Sequence, residues 1–103
     1  MILKIRVKYF FWLTRKFGAN EELVELPDNS PLYALLEKIS ESKSENIKKL
    51  IQEIIQGKSE IIILLNSKTP PNGLKTILRD GDEVDLMPPV SGGSNLNPSK
   101  LSN

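Results

Sequence analysis

The densest group of potentially reactive side chains is an acidic cluster near residue 80. Asp80, Asp82, Glu83 and Asp85 stand close together in the sequence, but they lack the glycine and distal glutamate spacing of a calcium-binding EF-hand loop. Alternation along a strand would also direct neighbouring carboxylates to opposite faces. We therefore interpret them as solvated carboxylates of a hairpin, and we expect neither a metal nor a cofactor.

The composition excludes most familiar catalytic sites. The 103-residue chain contains no Cys and no His, so it can form no disulfide, Cys-His or Ser-His-Asp centre, or His-ligated zinc site. Carboxylate or lysine catalysis would require burial strong enough to shift a pKa. We expect that the protein is not an enzyme and that it enters chemistry as a substrate, carrier or partner.

Net charge and hydropathy limit the classes of partner and the location that the sequence favours. Lys and Arg total 14 against 13 Asp and Glu, a net charge of +1, which favours neither a nucleic-acid nor a membrane-surface partner. No segment approaches the roughly 20 apolar residues of a membrane span. Lys4, Arg6 and Lys8 interrupt the N-terminal apolar run, unlike a signal peptide. We expect a cytoplasmic location.

Residues 2–13 alternate between apolar and polar side chains, which predicts a half-buried first strand. Leu3, Ile5, Val7, Tyr9 and Phe11 would face the core, with the basic residues opposite. Phe10 and Trp12 then fall on the basic face, where they are either a partner-docking patch or core turned inward by a bulge. The basic stripe itself is either a solvated face or a surface that steers an acidic partner.

The remaining pattern alternates strands and helices. After the first strand, the sequence predicts a loop or helical turn ending near Gly18, a strand over 22–26, a helix capped by Ser30 and a helix capped by Ser44. It then predicts a strand over 60–66 covered on both faces, a brief edge strand or turn over 74–78, and a last strand over 83–87. This order predicts an α+β fold of the ubiquitin-like β-grasp type, with a small mixed sheet packed on one or two helices. We expect the domain to cover residues 1–90 and residues 91–103 to form a flexible tail containing Gly92-Gly93.

The end of this domain carries a specific motif. Residues 80–93 read Asp-Gly-Asp-Glu-Val, a strand, Pro-Pro-Val-Ser and Gly-Gly. This pattern resembles the C-terminal signature of the MoaD family, the small subunits of molybdopterin synthase within the MoaD/ThiS superfamily of ubiquitin-like sulfur carriers. An aromatic strand followed by Phe17-Gly18, the segment 22–27, and Asn66 agree in order. The resemblance covers about residues 2–93.

The resemblance implies a specific chemistry at Gly93. In this family an adenylating enzyme of the ubiquitin-activating type converts the terminal glycine carboxylate to an acyl adenylate, and sulfur then displaces AMP to give a thiocarboxylate. The thiocarboxylate donates sulfur inside a MoaE-like large subunit during molybdenum cofactor biosynthesis. The segment that would enter the partner comprises Pro88, Pro89, Val90, Ser91, Gly92 and Gly93. The prolines stiffen it, and the glycines lack a Cβ, which suits a narrow channel.

The sequence departs from the family because residues 94–103 follow Gly93. The Gly93 carbonyl is therefore in a peptide bond, and we predict that a processing peptidase removes residues 94–103. Three alternatives stay open: a ubiquitin-like modifier conjugated through Gly93 to lysines, a β-grasp interaction module with a retained tail, and a carrier for thiamine synthesis or tRNA thiolation.

Overall fold

The computed structural model describes residues 1–89. These residues form, in chain order, β1 (Ile2–Tyr9), α1 (Leu13–Phe17), β2 (Glu21–Pro27), α2 (Leu32–Ser40), α3 (Glu45–Ile55), β3 (Ile62–Leu65), a 3-10 turn (Gly73–Lys75) and β4 (Glu83–Met87). None of the helices in this part of the chain is long and apolar enough to cross a membrane.

The four strands form one mixed sheet in the order β2-β1-β4-β3. β1 pairs with β2 as an antiparallel hairpin and with β4 in parallel, while β3 pairs antiparallel with β4. The parallel pair requires a crossover, which the helices between β2 and β3 supply. The mixed sheet and its helices confirm the predicted ubiquitin-like β-grasp architecture.

The core lies between one face of the sheet and the helices. Alternate residues of β1 and β4 point into it, and the apolar stripes of α2 and α3 close it from the other side. The largest side chains with less than 2% exposure include Ile5, Leu35, Leu36, Ile51 and Leu86. We call the opposite, uncovered surface of the sheet the outer face.

The first strand is shorter than predicted. It ends at Tyr9, and the next three residues turn the chain into α1 instead of continuing the alternation. The prediction that Phe11 faces the core is wrong, because Phe11 has a φ of +56° and its side chain is 71% exposed. The change from strand to helix places Leu13 and Phe17 one turn apart, and both are buried. Gly18 ends α1 in the left-handed conformation, as the sequence indicated.

One helix start and one strand differ in detail from the predictions. Pro31, not Ser30, occupies the N-cap of α2, and the Ser30 hydroxyl donates to the Pro27 carbonyl instead. Ser44 does occupy the N-cap of α3. The prediction that β3 is covered on both faces is wrong: it is an edge strand, and Ile62 is 38% exposed because its outer side faces solvent. Segment 74–78 forms part of the 3-10 turn and one isolated bridge, Pro31 to Ile77.

Candidate functional site

The candidate site begins where the chain leaves the sheet. β4 lies between β1 and β3, and its residues Val84 and Leu86 pair with Val7 and Tyr9 and are almost fully buried. Pro88, next after the strand, is buried, whereas Pro89 is exposed. Proline has no N–H to continue a ladder, so the pairing stops at Met87. The exit of the chain is therefore held at a fixed place by a packed central strand.

The rest of the predicted insertion segment lies outside the described residues. This applies to Val90, Ser91, Gly92 and Gly93, and to the predicted tail over 91–103. Of the predicted site residues, the structure therefore places the two prolines and the aromatic pair.

Hydrogen bonds in the preceding turn fix the start of β4. Asn66 Nδ2 donates to Asp82 Oδ1 over 3.0 Å, and the Glu83 amide donates to Asn66 Oδ1 over 2.9 Å. The Lys4 amide donates to Asp80 Oδ1 over 2.8 Å. Asp80 is exposed in the turn before β4, as the interpretation of solvated carboxylates expects, and Asp80 and Asp82 also accept the hydrogen bonds that fix this turn. No cluster of potential metal-binding side chains occurs within residues 1–89.

An exposed aromatic turn lies beside the exit; we define it as residues 10–12. The Phe10 amide donates to the Leu86 carbonyl over 3.1 Å, which continues the parallel β1–β4 register to the end of β4. Phe10 is half-buried and Trp12 is 47% exposed. The predicted placement of Phe10 and Trp12 on the outer face of a strand is wrong, because both lie in the turn after β1. The Phe10 amide stays bonded to β4 two residues before Pro88, whereas Trp12 lines a groove with Ile47 and Leu50 of α3.

Sequence alternation missed Phe11, which is the most exposed residue of the aromatic turn. A left-handed backbone is uncommon for a bulky residue and costs on the order of 1–3 kcal/mol. The unusually dense aromatic run over residues 9–12 could have signalled this, because a strand that buries one face cannot cover all of those side chains. The exposure of Phe11 and Trp12 supports the docking interpretation.

We expect Trp12→Ala to weaken binding of the large subunit proposed below by about 10-fold or more, because buried tryptophans dominate interface energies. The melting temperature should change little, since almost half of the side chain already contacts solvent. Isothermal titration calorimetry and thermal unfolding measure the two effects. Tyr33→Ala is the matched control: Tyr33 is 40% exposed and lies at the start of α2, at the opposite end of the sheet. Equal affinity of wild type and Trp12→Ala would refute the docking role.

Charged side chains of the outer face form a connected cluster next to β4. Lys8 Nζ lies 3.5 Å from Glu83 Oε2, and Arg6 approaches both Glu83, at 3.9 Å, and Glu21, at 3.7 Å. Arg6 and Lys8, two of the three residues of the predicted basic stripe, thus form ion pairs within the chain. Such exposed pairs contribute little to stability.

Asp85 is the acidic residue of this cluster whose predicted environment is wrong. Its side chain is not solvated, because the residue is only 8% exposed. Burial raises the pKa of Asp85 above its usual value, the nearby Glu83 raises it further, and Lys8 opposes them. The folded state therefore holds the Asp85 proton more strongly than the unfolded state does. As a result, the free energy of unfolding decreases as the pH rises above the usual pKa range of Asp.

A second polar cluster supports the aromatic turn from the core side. Lys43, in the loop between α2 and α3, forms an ion pair with Glu22 and donates to the Phe17 carbonyl over 3.0 Å. Tyr9 stacks on Phe17 with ring centroids 4.4 Å apart. Burial, followed by the charge of Glu22, raises the pKa of Tyr9. These contacts link the end of β1, α1 and β2, so they hold the base of the aromatic turn.

Solved structures of known proteins share this arrangement. The putative molybdopterin converting factor subunit 1 from Pyrococcus furiosus is 28% identical, with a TM-score of 0.62 over 85% of this chain and 99% of that chain. Small archaeal modifier protein 1 from Methanosarcina acetivorans is 26% identical, with a TM-score of 0.66 over 90% and 99% of the two chains. The complex of subunits 1 and 2 of the Helicobacter pylori molybdopterin-converting factor includes a chain that is 26% identical, with a TM-score of 0.52 over 90% and 100%. No curated protein sequence gives a significant match.

The mixed β-grasp sheet and the similarity to these structures place the fold of this chain in the class of ubiquitin-like sulfur carriers and modifiers. The small proteins of this class are carriers and are not themselves catalytic. The chain belongs to the ThiS family, whose sequence model matches residues 7–93. The resemblance to the MoaD/ThiS superfamily, predicted from the C-terminal motif, is confirmed.

Proposed function

We propose that this protein is the sulfur-carrying small subunit of a molybdopterin synthase in the cytoplasm. The observation that carries the proposal is the Pro-Pro-Val-Ser-Gly-Gly segment, which directly follows a packed central strand. The 28% identity to a putative molybdopterin converting factor subunit 1, which this chain covers almost completely, supports the same assignment. The solved complex of the two Helicobacter pylori subunits supports a large subunit as the partner.

The proposed chemistry takes place at the Gly93 carboxylate and needs no side chain of this protein. The carboxylate attacks the α-phosphate of ATP on an adenylating enzyme, which forms the acyl adenylate and releases pyrophosphate. Sulfide-level sulfur supplied by another protein then attacks the acyl carbon and displaces AMP, which gives the thiocarboxylate. The thiocarboxylate donates its sulfur within the large subunit, and hydrolysis of the acyl group returns the Gly93 carboxylate. A chain without His or Cys suits this role, because the activating enzyme and the large subunit provide the catalytic groups.

The proposed contribution of this chain is positioning. β4 holds Pro88 at the end of the sheet. The two prolines already restrict the backbone before binding, so the segment loses less conformational entropy when it enters a partner. Gly92 and Gly93 present a backbone without Cβ atoms, so a narrow channel can close around it. The aromatic turn lies beside the exit and would contact the partner surface around the channel entrance.

We expect intact-mass spectrometry of the protein from its native host to find a species that ends at Gly93. Adenylation requires a free carboxylate, whereas the Gly93 carbonyl is bonded to Ser94 in the full sequence. The same measurement should detect replacement of a carboxylate oxygen by sulfur. A Gly93→Pro variant is the control, because the altered junction should block cleavage. If every species extends past Gly93, the carrier proposal is wrong and an interaction module with a retained tail is favoured.

A protein modifier is the second candidate, and one observation favours it. The chain is 26% identical to a small archaeal modifier protein, almost the same as its identity to the putative converting-factor subunit. Both functions use the same acyl adenylate and differ only in the acceptor. Isopeptide linkage of Gly93 to lysines in host proteins would support the modifier. A thiocarboxylate together with a stable complex with a large subunit would support the carrier.

A further inference from the structure

One edge of the sheet has backbone hydrogen-bonding groups without a partner. β2 is the first strand in the sheet order, so β1 pairs with only one of its sides. The Tyr9 amide donates to the Asn20 carbonyl over 2.8 Å, and bonded and non-bonded residue pairs alternate along an antiparallel ladder. By this register the N–H and C=O groups of Glu21, Leu23 and Glu25 point away from β1. No other element within residues 1–89 pairs with them.

The opposite edge of the sheet, on β3, is blocked by the chain itself. The Leu65 amide donates to the Lys68 carbonyl over 2.7 Å, and the Lys68 amide donates back to the Leu65 carbonyl over 3.0 Å. The Ile61 amide donates to Ser59 Oγ over 3.2 Å. Between these contacts only Ile63 directs its backbone groups outward, because its neighbours in β3 bond to β4. The free edge of β2 is therefore the longer template for another strand.

A groove of about 810 Å³ runs along this free edge, between β2 and the end of α2. Its lining includes the apolar side chains of Val24 and Leu26 from β2 and of Ile39 from α2. Lys38 and Glu41, whose charged groups lie 3.7 Å apart, contribute its polar side. Alternate side chains of a strand point to opposite faces, so a strand added to β2 would direct every second side chain into the groove.

The charges of β2 favour a basic occupant. Glu21 and Glu25 are exposed and flank Leu23, which is 66% exposed. On its paired side β2 already faces a strand of alternating apolar and basic residues, in which Lys8 lies opposite Glu21 and Lys4 lies opposite Glu25. A strand on the free side would lie beside the same two carboxylates, so the same alternation would suit it.

A second copy of this chain does not suit the edge. Antiparallel pairing of two β2 strands about Leu23 would place Glu21 of each copy opposite Glu25 of the other. Like charges directly opposite each other destabilise a strand pair. The occupant that the charges favour is therefore a different chain with basic residues.

We propose that the free edge of β2 and its groove bind an extended segment of another protein in which apolar residues alternate with Lys or Arg. The segment adds a fifth strand to the sheet: its apolar side chains enter the groove, and its basic side chains approach Glu21 and Glu25. Pro27 ends the site, because it has no N–H and its carbonyl accepts the Ser30 hydroxyl. The chain leaves the sheet from β4, two strands away, so this site is separate from the proposed chemistry at Gly93.

The test uses a short synthetic peptide of alternating lysine and valine. We expect it to bind about 10-fold or more tightly than a peptide of the same composition in which all lysines precede the valines. Leu23→Pro removes one outward N–H and leaves the bonds to β1 in place, so it should weaken binding by about 10-fold or more. Leu23→Ala is its matched control, because it shortens the side chain and keeps the N–H. Glu25→Lys should weaken binding by about 3-fold or more, whereas Glu60→Lys, at an exposed position before β3, should not.

Fluorescence anisotropy of the labelled peptides measures the affinities, and amide hydrogen exchange followed by NMR locates the site. The amides of Leu23 and Glu25 should exchange rapidly in the free protein and about 10-fold or more slowly with the alternating peptide. This measurement on the wild-type protein decides the question if Leu23→Pro fails to fold.

Three results would overturn the inference. Equal affinity for the two peptides would mean that charge alone drives binding. Equal affinity of Leu23→Pro and Leu23→Ala would mean that the peptide does not pair with β2. Slow exchange of the Leu23 and Glu25 amides in the free protein would mean that another copy, or residues beyond 89, already covers the edge. None of these results bears on thiocarboxylate formation at Gly93, so the proposed function is tested separately.

Discussion

Replacement of both Gly92 and Gly93 with valine should lower sulfur loading or conjugation by about 100-fold or more and leave the melting temperature of the domain unchanged. The glycines follow β4 and its two prolines, so the packed core does not depend on them. Valine adds a branched side chain at both positions and widens the segment that must reach the adenylating site. A misplacement of about 1 Å at a reacting carbonyl is enough for a 100-fold loss.

The loading experiment needs a control for processing, because valine at the junction would also impair cleavage after residue 93. Both glycine replacements are therefore made in the full chain and in a chain that ends at residue 93. Thiocarboxylate formation is followed by mass spectrometry with the adenylating enzyme and a sulfur donor. Leu101→Val and Ser102→Val together serve as the matched control in the full chain. Normal loading of the shortened valine variant would show that the glycines have no role beyond the cleavage site.

Leu86→Ala should reduce the free energy of unfolding by about 2–5 kcal/mol, a large part of the roughly 5–15 kcal/mol of a typical small domain. Leu86 is 1% exposed, and its β4 position pairs with Tyr9, which stacks on Phe17. Truncation leaves a cavity between the central strands and the helices. Because the Leu86 carbonyl also accepts the Phe10 amide, local loosening would disturb both the chain exit and the aromatic turn.

Urea unfolding monitored by circular dichroism measures the effect, with Ile62→Ala as the matched control. Ile62 is an aliphatic residue on the neighbouring strand, and it is 38% exposed, so its loss should cost about 1 kcal/mol or less. A Leu86→Ala variant as stable as the control would show that β4 is not the strand that anchors the exit.

Most elements could be predicted because local patterns and tertiary packing agree. The alternation over the start of β1 and the apolar spacing of α3 both match the buried residues of the structure. The C-terminal motif identifies the family from the sequence alone, since its residues are contiguous and their order is specific. Contiguity also explains why Pro88 could be assigned to the exit from sequence alone.

The errors occurred where neighbours from distant parts of the chain decide the environment. Residues 10–12 continue an aromatic strand pattern, but burial of Leu13 and Phe17 requires a turn into α1, which exposes Phe11. The apolar run of β3 predicts a strand covered on both faces, whereas the sheet order places β3 at an edge. An apolar run has the same local pattern in both settings, so the sequence could not separate them.

The sequence alone determined the family, the β-grasp class and the position of the proposed reactive glycine, because each depends on local periodicity or on a contiguous motif. Only the tertiary structure decided that the aromatic turn lies beside the chain exit and that Asp85 is buried. Both features depend on which strands become neighbours: the Phe10 amide meets the Leu86 carbonyl, and Asp85 lies between Lys8 and Leu64, only after the sheet has assembled. Pairing between residues far apart in the chain is a property of the whole fold, and no local pattern encodes it.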